Sequence, residues 1–184
     1  GRMSEPPPPT QSAQPGSRIP ALTLALGVLV AWGWFYNGAD INQIARYDMV
    51  FAFVEPHPTD QYTFRIDRFV DQPATGLRPN TWDWSNNPKH DPHHYPNKAP
   101  GPSLLAIPFY FVMYHVEEWA GLNPLEPAVT YVNCYLLNLI VTVIPAALAA
   151  MVFYAFLHRW THQRLWSYVC TAGLFFGTSM FPFG

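Results

Sequence analysis

The stretch AVTYVNCYLLNLIVTVIPAALAAMVFYAFL, residues 128–157, contains no charged side chain. A helix needs about 20 predominantly apolar residues to cross the hydrocarbon core of a bilayer, so this stretch is longer than a span requires. Its length and composition predict a transmembrane helix. Pro145 lies in its middle, and a proline inside a long apolar helix favours a kink or a tilt.

Two further segments, residues 19–36 and 167–184, are also uncharged and long enough to cross a membrane. Together with residues 128–157 they predict an all-α membrane protein with three transmembrane helices. Trp32 and Tyr36 at the end of the first segment are typical of an interfacial aromatic belt, which favours a retained span over a cleaved signal peptide. The third segment ends without a polar flank, which is the pattern of a truncated chain.

The composition of this 184-residue chain is typical of a membrane protein with a large hydrophilic part. Hydrophobic residues make up 49% of it and charged residues 12%, whereas soluble domains contain about 25% charged residues. The net charge of −2 provides no basic face for a phosphate backbone and excludes nucleic acid as the main partner. Cys134 and Cys170 both lie in apolar segments, so we expect small buried residues rather than a disulfide or a metal pair.

The distribution of basic residues predicts the topology. If residues 37–127 form one external loop, two basic segments both lie in the cytoplasm. They are Arg18, at the end of the proline-rich tail of residues 1–18, and the short basic loop of residues 158–166. This topology requires that residues 103–118 do not cross the membrane. The uncharged part of that stretch is too short for a span, so we expect an interfacial or re-entrant helix.

The external loop is expected to contain a second interfacial helix, near residues 40–55. Ile44, Tyr47 and Phe51 recur there at helical spacing and predict a single apolar stripe. Residues 62–70 show partial alternation of apolar and polar side chains, which favours a short β-hairpin.

Two carboxylates are candidates for catalysis. Asp40 stands at the external end of the first span, where it could act as a general base on an acceptor hydroxyl or amine. With Gln43 it also has the form of a capping box, and one residue could fill both roles. Asp48 is the second candidate, with a solvated or arginine-paired carboxylate as the alternative.

Two cations are candidates for binding a phosphate. Lys98 lies in the turn YPNKAPG, residues 95–101, just before an apolar stretch, and could bind a phosphate as a point charge. A lysine that extends to the membrane interface is the alternative. Arg46 could bind phosphate as well or pair with a neighbouring carboxylate.

The same loop contains weaker candidates for metal and sugar binding. His90, His93 and His94 could ligate a divalent metal, although their spacing matches no strong zinc pattern. Trp82 and Trp84 could stack on a sugar ring or anchor the loop at the membrane surface.

The segment HYPNKAPGPSLL, residues 94–105, and more weakly residues 42–55 and 177–182, resemble bacterial glycosyltransferases of the GT-C type. These integral membrane proteins include the protein mannosyltransferases and the lipid A aminoarabinose transferase. The resemblance implies an all-helical membrane core in the bacterial inner membrane, a periplasmic loop and a polyprenyl-phosphate-linked sugar donor. By position it implies that Asp40 is the catalytic aspartate and that Lys98 contacts the donor phosphate.

The chain departs from that family in two ways. Some members carry an acidic pair where this chain has Asp40-Ile41, and members have many more spans, so a chain of this length is expected to be incomplete as an enzyme. The alternative is a non-catalytic transmembrane subunit that packs against other membrane proteins and stabilises a larger complex, for example a photosynthetic or respiratory one. An enzyme should leave Asp40 and Lys98 facing one open cavity at the membrane surface, in contact with membrane lipids, whereas a structural subunit should bury much of the external loop and the tail against other chains.

Overall fold

The computed structural model describes residues 18–36, 41–58, 62–70, 83–87 and 91–178. These residues are mostly helical, which confirms the predicted all-α character. The helices are α1 Arg18–Trp34, α2 Ile41–Val54, α3 Asp67–Val70, α4 Gly101–Trp119, α5 Pro127–Asn138, α6 Ile144–Thr161 and α7 Arg164–Gly177. Two short strands, β1 Trp84–Asn87 and β2 Asp91–Pro96, pair antiparallel.

One long helix runs through the whole fold. The π-helical segment Leu139–Val143 joins α5 to α6, and together they form a continuous helix of 35 residues, Pro127–Thr161. Pro145 has no N–H to donate to the carbonyl of Val141 and its ring crowds that group. The wider π turn just before Pro145 relieves this conflict, so the helix continues through the proline.

Among the described residues, Pro127–Thr161 is the one helix whose length and composition suffice to cross a membrane, with a mean hydropathy of 2.4 in its apolar window. Of the three predicted spans, residues 128–157 are the one that falls in a described helix long and apolar enough to cross a membrane. α1 is apolar but has 17 residues, and α7 ends at Gly177, before residues 179–184, which lie outside the described part.

One half of the fold is a bundle of α1, α6 and α7. Gly33 near the end of α1 lies against Leu139, whereas Ala21 near its start clusters with Tyr154, so α1 and α6 run antiparallel. Small residues at this contact allow close approach of the helices. The buried cluster of this half comprises Ala25, Val28, Trp32, Val143, Ala147, Ala150 and Phe175.

The other half packs α2 and α4 against α5. Its buried cluster comprises Tyr47, Val50, Phe51, Ala52, Val54, Ile66, Phe69, Ala106, Tyr110, Tyr114 and Leu137. The prediction of a single apolar stripe on α2 was wrong, because Ala45, Met49 and Ala52 on its other faces are also buried. α2 is therefore a core helix of this half.

The hairpin lies elsewhere than the sequence suggested. Residues 62–66 are irregular and residues 67–70 form α3, so the predicted hairpin at residues 62–70 was wrong. The observed hairpin pairs Trp84 with Pro96 and Ser85 with Tyr95. It is attached to the rest of the fold through the Ile66 N–H, which donates to the His94 carbonyl over 3.0 Å.

Candidate functional site

A cavity of about 300 Å³ opens where α2, α4 and the long helix meet. Its wall combines polar and apolar side chains from all three elements. The lining residues are Gln43, Arg46, Tyr47, Val50, Pro102, Ser103, Ala106, Leu137, Asn138, Val141 and Thr142.

Small side chains and the π turn create this space. Ser103 and Ala106 face α2 and are buried. The Ser103 hydroxyl donates to the Arg46 carbonyl over 3.1 Å, which joins the first turn of α4 to the middle of α2. Val141 and Thr142 belong to the π-helical segment, a kind of irregularity that is frequent at functional sites.

Arg46 supplies the charge of the cavity. Its Nη1 lies 3.5 Å from the Gln43 side-chain oxygen. Its Nε is buried and has no hydrogen-bond partner among the described residues. None of the described lining residues carries a carboxylate. A half-buried cation with no carboxylate among the described lining residues favours an anion in this cavity, and a guanidinium fits the oxygens of a phosphate.

The remaining polar groups of the cavity are neutral. Burial is the main reason why the pKa of the Tyr47 phenol lies above its usual value. Tyr47 therefore keeps its proton. Asn138 and Thr142 are four residues apart and share one face of the long helix. Together these groups can hydrogen-bond to a ligand while Val50 and Leu137 form an apolar wall.

Lys98 lies near this cavity in sequence but is not among its lining residues. Its Nζ is 2.8 Å from Asp83 Oδ2. The Asn97 side-chain amide donates to Asp83 Oδ1 over 3.2 Å, and the Asn97 N–H donates to the Asp83 carbonyl over 3.2 Å. Asp83 thus holds in place the turn that leads into α4, and the ion pair between Lys98 and Asp83 contributes to this.

His93 and His94 are held by one carboxylate. Their Nδ1 atoms lie 2.6 Å and 2.9 Å from the two oxygens of Asp67, and the His94 N–H donates to Asp67 over 2.7 Å. Burial raises the pKa of the Asp67 carboxyl, but the hydrogen bonds from His94 and His93 outweigh it and hold that pKa below its usual value. The described residues contain no group of three or more side chains suited to a metal ion, and His90 lies outside them.

Of the other predicted site residues, Asp48 and Trp84 are described and do not line the cavity. Asp40 and Trp82 lie outside the described residues. Asp48 is 2% exposed, so the alternative of a solvated carboxylate was wrong. Trp84 contacts the His94 ring edge to face, with centroids 4.3 Å apart, and packs against the core of the α2–α4 half. Trp84 is partly buried by these contacts, and its roles in sugar stacking or membrane anchoring stay predictions.

The sequence indicated Arg46 as a candidate site residue, but it did not indicate most of the other residues that line the cavity. Asn138 and Thr142 are polar residues within the predicted span of residues 128–157. Polar residues inside a span are a usual sign of function, so that signal was available. Ser103 and Asp83 gave no comparable signal. Comparisons with protein families, with curated proteins and with solved structures found no match.

Proposed function

We propose that this chain is a glycosyltransferase-like integral membrane protein that binds a polyprenyl-phosphate-linked sugar at the external face of the membrane. The single observation that carries this proposal is Arg46, a half-buried cation with a buried Nε that lines a partly apolar cavity with no lining carboxylate among the described residues. A phosphate would neutralise Arg46, and the isoprenoid next to the phosphate would contact the apolar wall. At about 300 Å³ the cavity is suited to the head of such a lipid.

The proposed membrane placement has three spans, near residues 19–36, 128–157 and 167–184, in the bacterial inner membrane. The tail of residues 1–18 and the loop of residues 158–166 are cytoplasmic, and residues 37–127 are periplasmic. The outward-facing apolar side chains of the bundle support contact with lipid. These include Leu22, Leu26, Val30, Leu148, Val152, Phe156, Leu165 and Val169.

The proposed chemistry is an inverting transfer. The acceptor hydroxyl attacks the anomeric carbon from the face opposite the phosphate. The bond from that carbon to the phosphate oxygen breaks, and both electrons leave with the polyprenyl phosphate. The hydroxyl proton passes to Asp40, which directly precedes α2. Arg46 stabilises the charge that develops on the leaving phosphate.

The test is the affinity of the purified chain for polyprenyl monophosphate in detergent micelles. We expect saturable binding that Arg46→Gln weakens by about tenfold or more, since a charge-assisted hydrogen bond contributes about 1.5–3 kcal/mol. Arg65→Gln is the matched control, because it removes the same charge from the same half of the fold without touching the cavity. Equal affinity of the two variants would contradict the proposal.

The exposed face of α4 supports a second candidate, a non-catalytic accessory subunit. α4 buries Ser103, Ala106, Tyr110 and Tyr114 and leaves an apolar face outside, formed by Leu104, Leu105, Phe109, Val112 and Val116. Other membrane-protein subunits could cover this face. Stoichiometric co-purification with such subunits in mild detergent, without binding of polyprenyl phosphate, would favour this candidate over the first.

A further inference from the structure

A second cavity, of about 650 Å³, lies between α1 and α6, at the end of the bundle where α1 begins and α6 ends. Arg18, Tyr154, His158 and Arg159 form its polar end. Leu22, Met151 and Val152 continue it as an apolar groove. Leu22 is 56% exposed and Val152 69% exposed, so the groove is open along the outer surface of the bundle.

The two arginines come together because the helices are antiparallel. α1 begins at Arg18 and α6 ends at Thr161, which places Arg18 and Arg159 at the same end of the bundle. The sequence contains no Asp or Glu in α1 or anywhere after Glu126. The helices around the groove therefore supply no counter-charge for the two guanidinium groups.

Two buried polar atoms beside the arginines also favour a ligand. Tyr154 is 1% exposed, and neither its hydroxyl nor His158 Nδ1 has a hydrogen-bond partner among the described residues. Their rings are stacked, with centroids 5.9 Å apart. Buried polar groups without a partner are rare in folded proteins and call for an explanation. A polar headgroup at this end of the groove would supply the missing partners.

We infer that this groove binds one anionic phospholipid of the cytoplasmic leaflet. The phosphate lies between Arg18 and Arg159, a headgroup hydroxyl reaches Tyr154 and His158, and an acyl chain follows Leu22 and Val152. A basic pocket between transmembrane helices on the cytoplasmic side is a known type of anionic lipid site. The apolar continuation of the groove favours a lipid over a free phosphate ion. The inference rests on the proposed placement of α1 and α6 in the membrane, with Arg18 and Arg159 on the cytoplasmic side, but it is independent of sugar transfer.

The test is native mass spectrometry of the full chain in detergent, titrated separately with phosphatidylglycerol, phosphatidylcholine and inorganic phosphate. We expect one phosphatidylglycerol to be retained in preference to phosphatidylcholine. Arg159→Gln should weaken phosphatidylglycerol binding about fivefold, as expected from the loss of about 1 kcal/mol per basic residue. Arg164→Gln removes the same charge at the same end of the bundle without lining the groove, so it should change the affinity less than about twofold.

Tyr154→Phe distinguishes a specific contact with the lipid from a nonspecific attraction of the lipid to surface charge. It removes only the buried hydroxyl, and it should weaken phosphatidylglycerol binding while leaving phosphatidylcholine binding unchanged. The inference is overturned if Arg159→Gln and Arg164→Gln have equal effects, if the two lipids bind equally, or if inorganic phosphate alone displaces phosphatidylglycerol. Occupation of the groove by a co-purifying protein helix, detected by cross-linking to Leu22 or Val152, would also overturn it.

Discussion

The Tyr110 hydroxyl donates a hydrogen bond to Glu55 Oε1 over 2.8 Å, with both residues almost completely buried. Arg68 Nη2 lies 3.5 Å from the other carboxylate oxygen and donates to the Phe51 carbonyl over 2.9 Å. This network joins the end of α2 to α3 and α4. Because α2 and α4 form two walls of the Arg46 cavity, the network also fixes the shape of that cavity.

Tyr110→Phe should therefore destabilise the protein. The substitution removes a 2.8 Å hydrogen bond to a buried carboxylate, which costs about 1–3 kcal/mol. We expect a lower thermal unfolding temperature in detergent. Tyr62→Phe removes a hydroxyl from a side chain that is 63% exposed and should leave the unfolding temperature unchanged. Equal unfolding temperatures for the two variants would show that the Glu55 network does not stabilise the fold.

The Asp67 carboxylate should make attachment of the hairpin sensitive to acid. Its folded-state pKa lies below the usual value of 3.8, so its contribution to stability is fully present above that value. As the pH falls from 3.8 towards the lower folded value, the unfolded state takes up the proton first and the contribution is lost. Hydrogen exchange of the 91–96 peptide, corrected for the intrinsic pH dependence, should accelerate in this range.

Asp67→Asn provides the control for that measurement. It should raise exchange in the 91–96 peptide at neutral pH and remove the acid-dependent part of the exchange. Glu118→Gln changes a carboxylate whose side chain is 48% exposed and should leave the acid response of the peptide intact. An identical acid response in wild type and Asp67→Asn would contradict a role for Asp67.

Packing of α1 against α7 should depend on Gly27. A Cβ at this position would lie 3.3 Å from the Phe176 ring, so Gly27→Leu should force the helices apart and cost about 1–3 kcal/mol. At Gly173 no atom lies within 4 Å of the corresponding Cβ, so Gly173→Leu provides the same gain in helix propensity without a clash. We expect only Gly27→Leu to lower the unfolding temperature. A similar loss in both variants would contradict the packing of α1 on α7.

Lys98 and Arg46 should differ in their effect on phosphate binding. Because Lys98 pairs with Asp83 at 2.8 Å and does not line the cavity, Lys98→Gln should weaken binding of polyprenyl monophosphate less than Arg46→Gln does. Its main effect should be faster hydrogen exchange in the 91–101 segment, and Asp83→Asn should reproduce that effect. A larger loss of affinity for Lys98→Gln than for Arg46→Gln would assign the phosphate to Lys98 instead.

The helical architecture could be predicted from local patterns, whereas the cavity could not. The uncharged length of residues 128–157 predicted the long helix because hydropathy alone carries that information. The apolar spacing on α2 predicted a helix, but not that its other faces are buried by α4 and neighbouring segments. Ser103 contacts Arg46 across a large distance in sequence, and such pairs follow from packing rather than from local propensity. For the same reason the pairing of Lys98 with Asp83 was not visible in the sequence.

Photo-cross-linking tests the central claim most directly. A polyprenyl monophosphate with a diazirine near the phosphate should label Val50, Ala106 or Val141, which line the Arg46 cavity, and Arg46→Gln should abolish this labelling while Arg65→Gln preserves it. Labelling spread evenly over outward-facing residues such as Leu148 and Val152, and unaffected by Arg46→Gln, would contradict a lipid-phosphate site in this cavity.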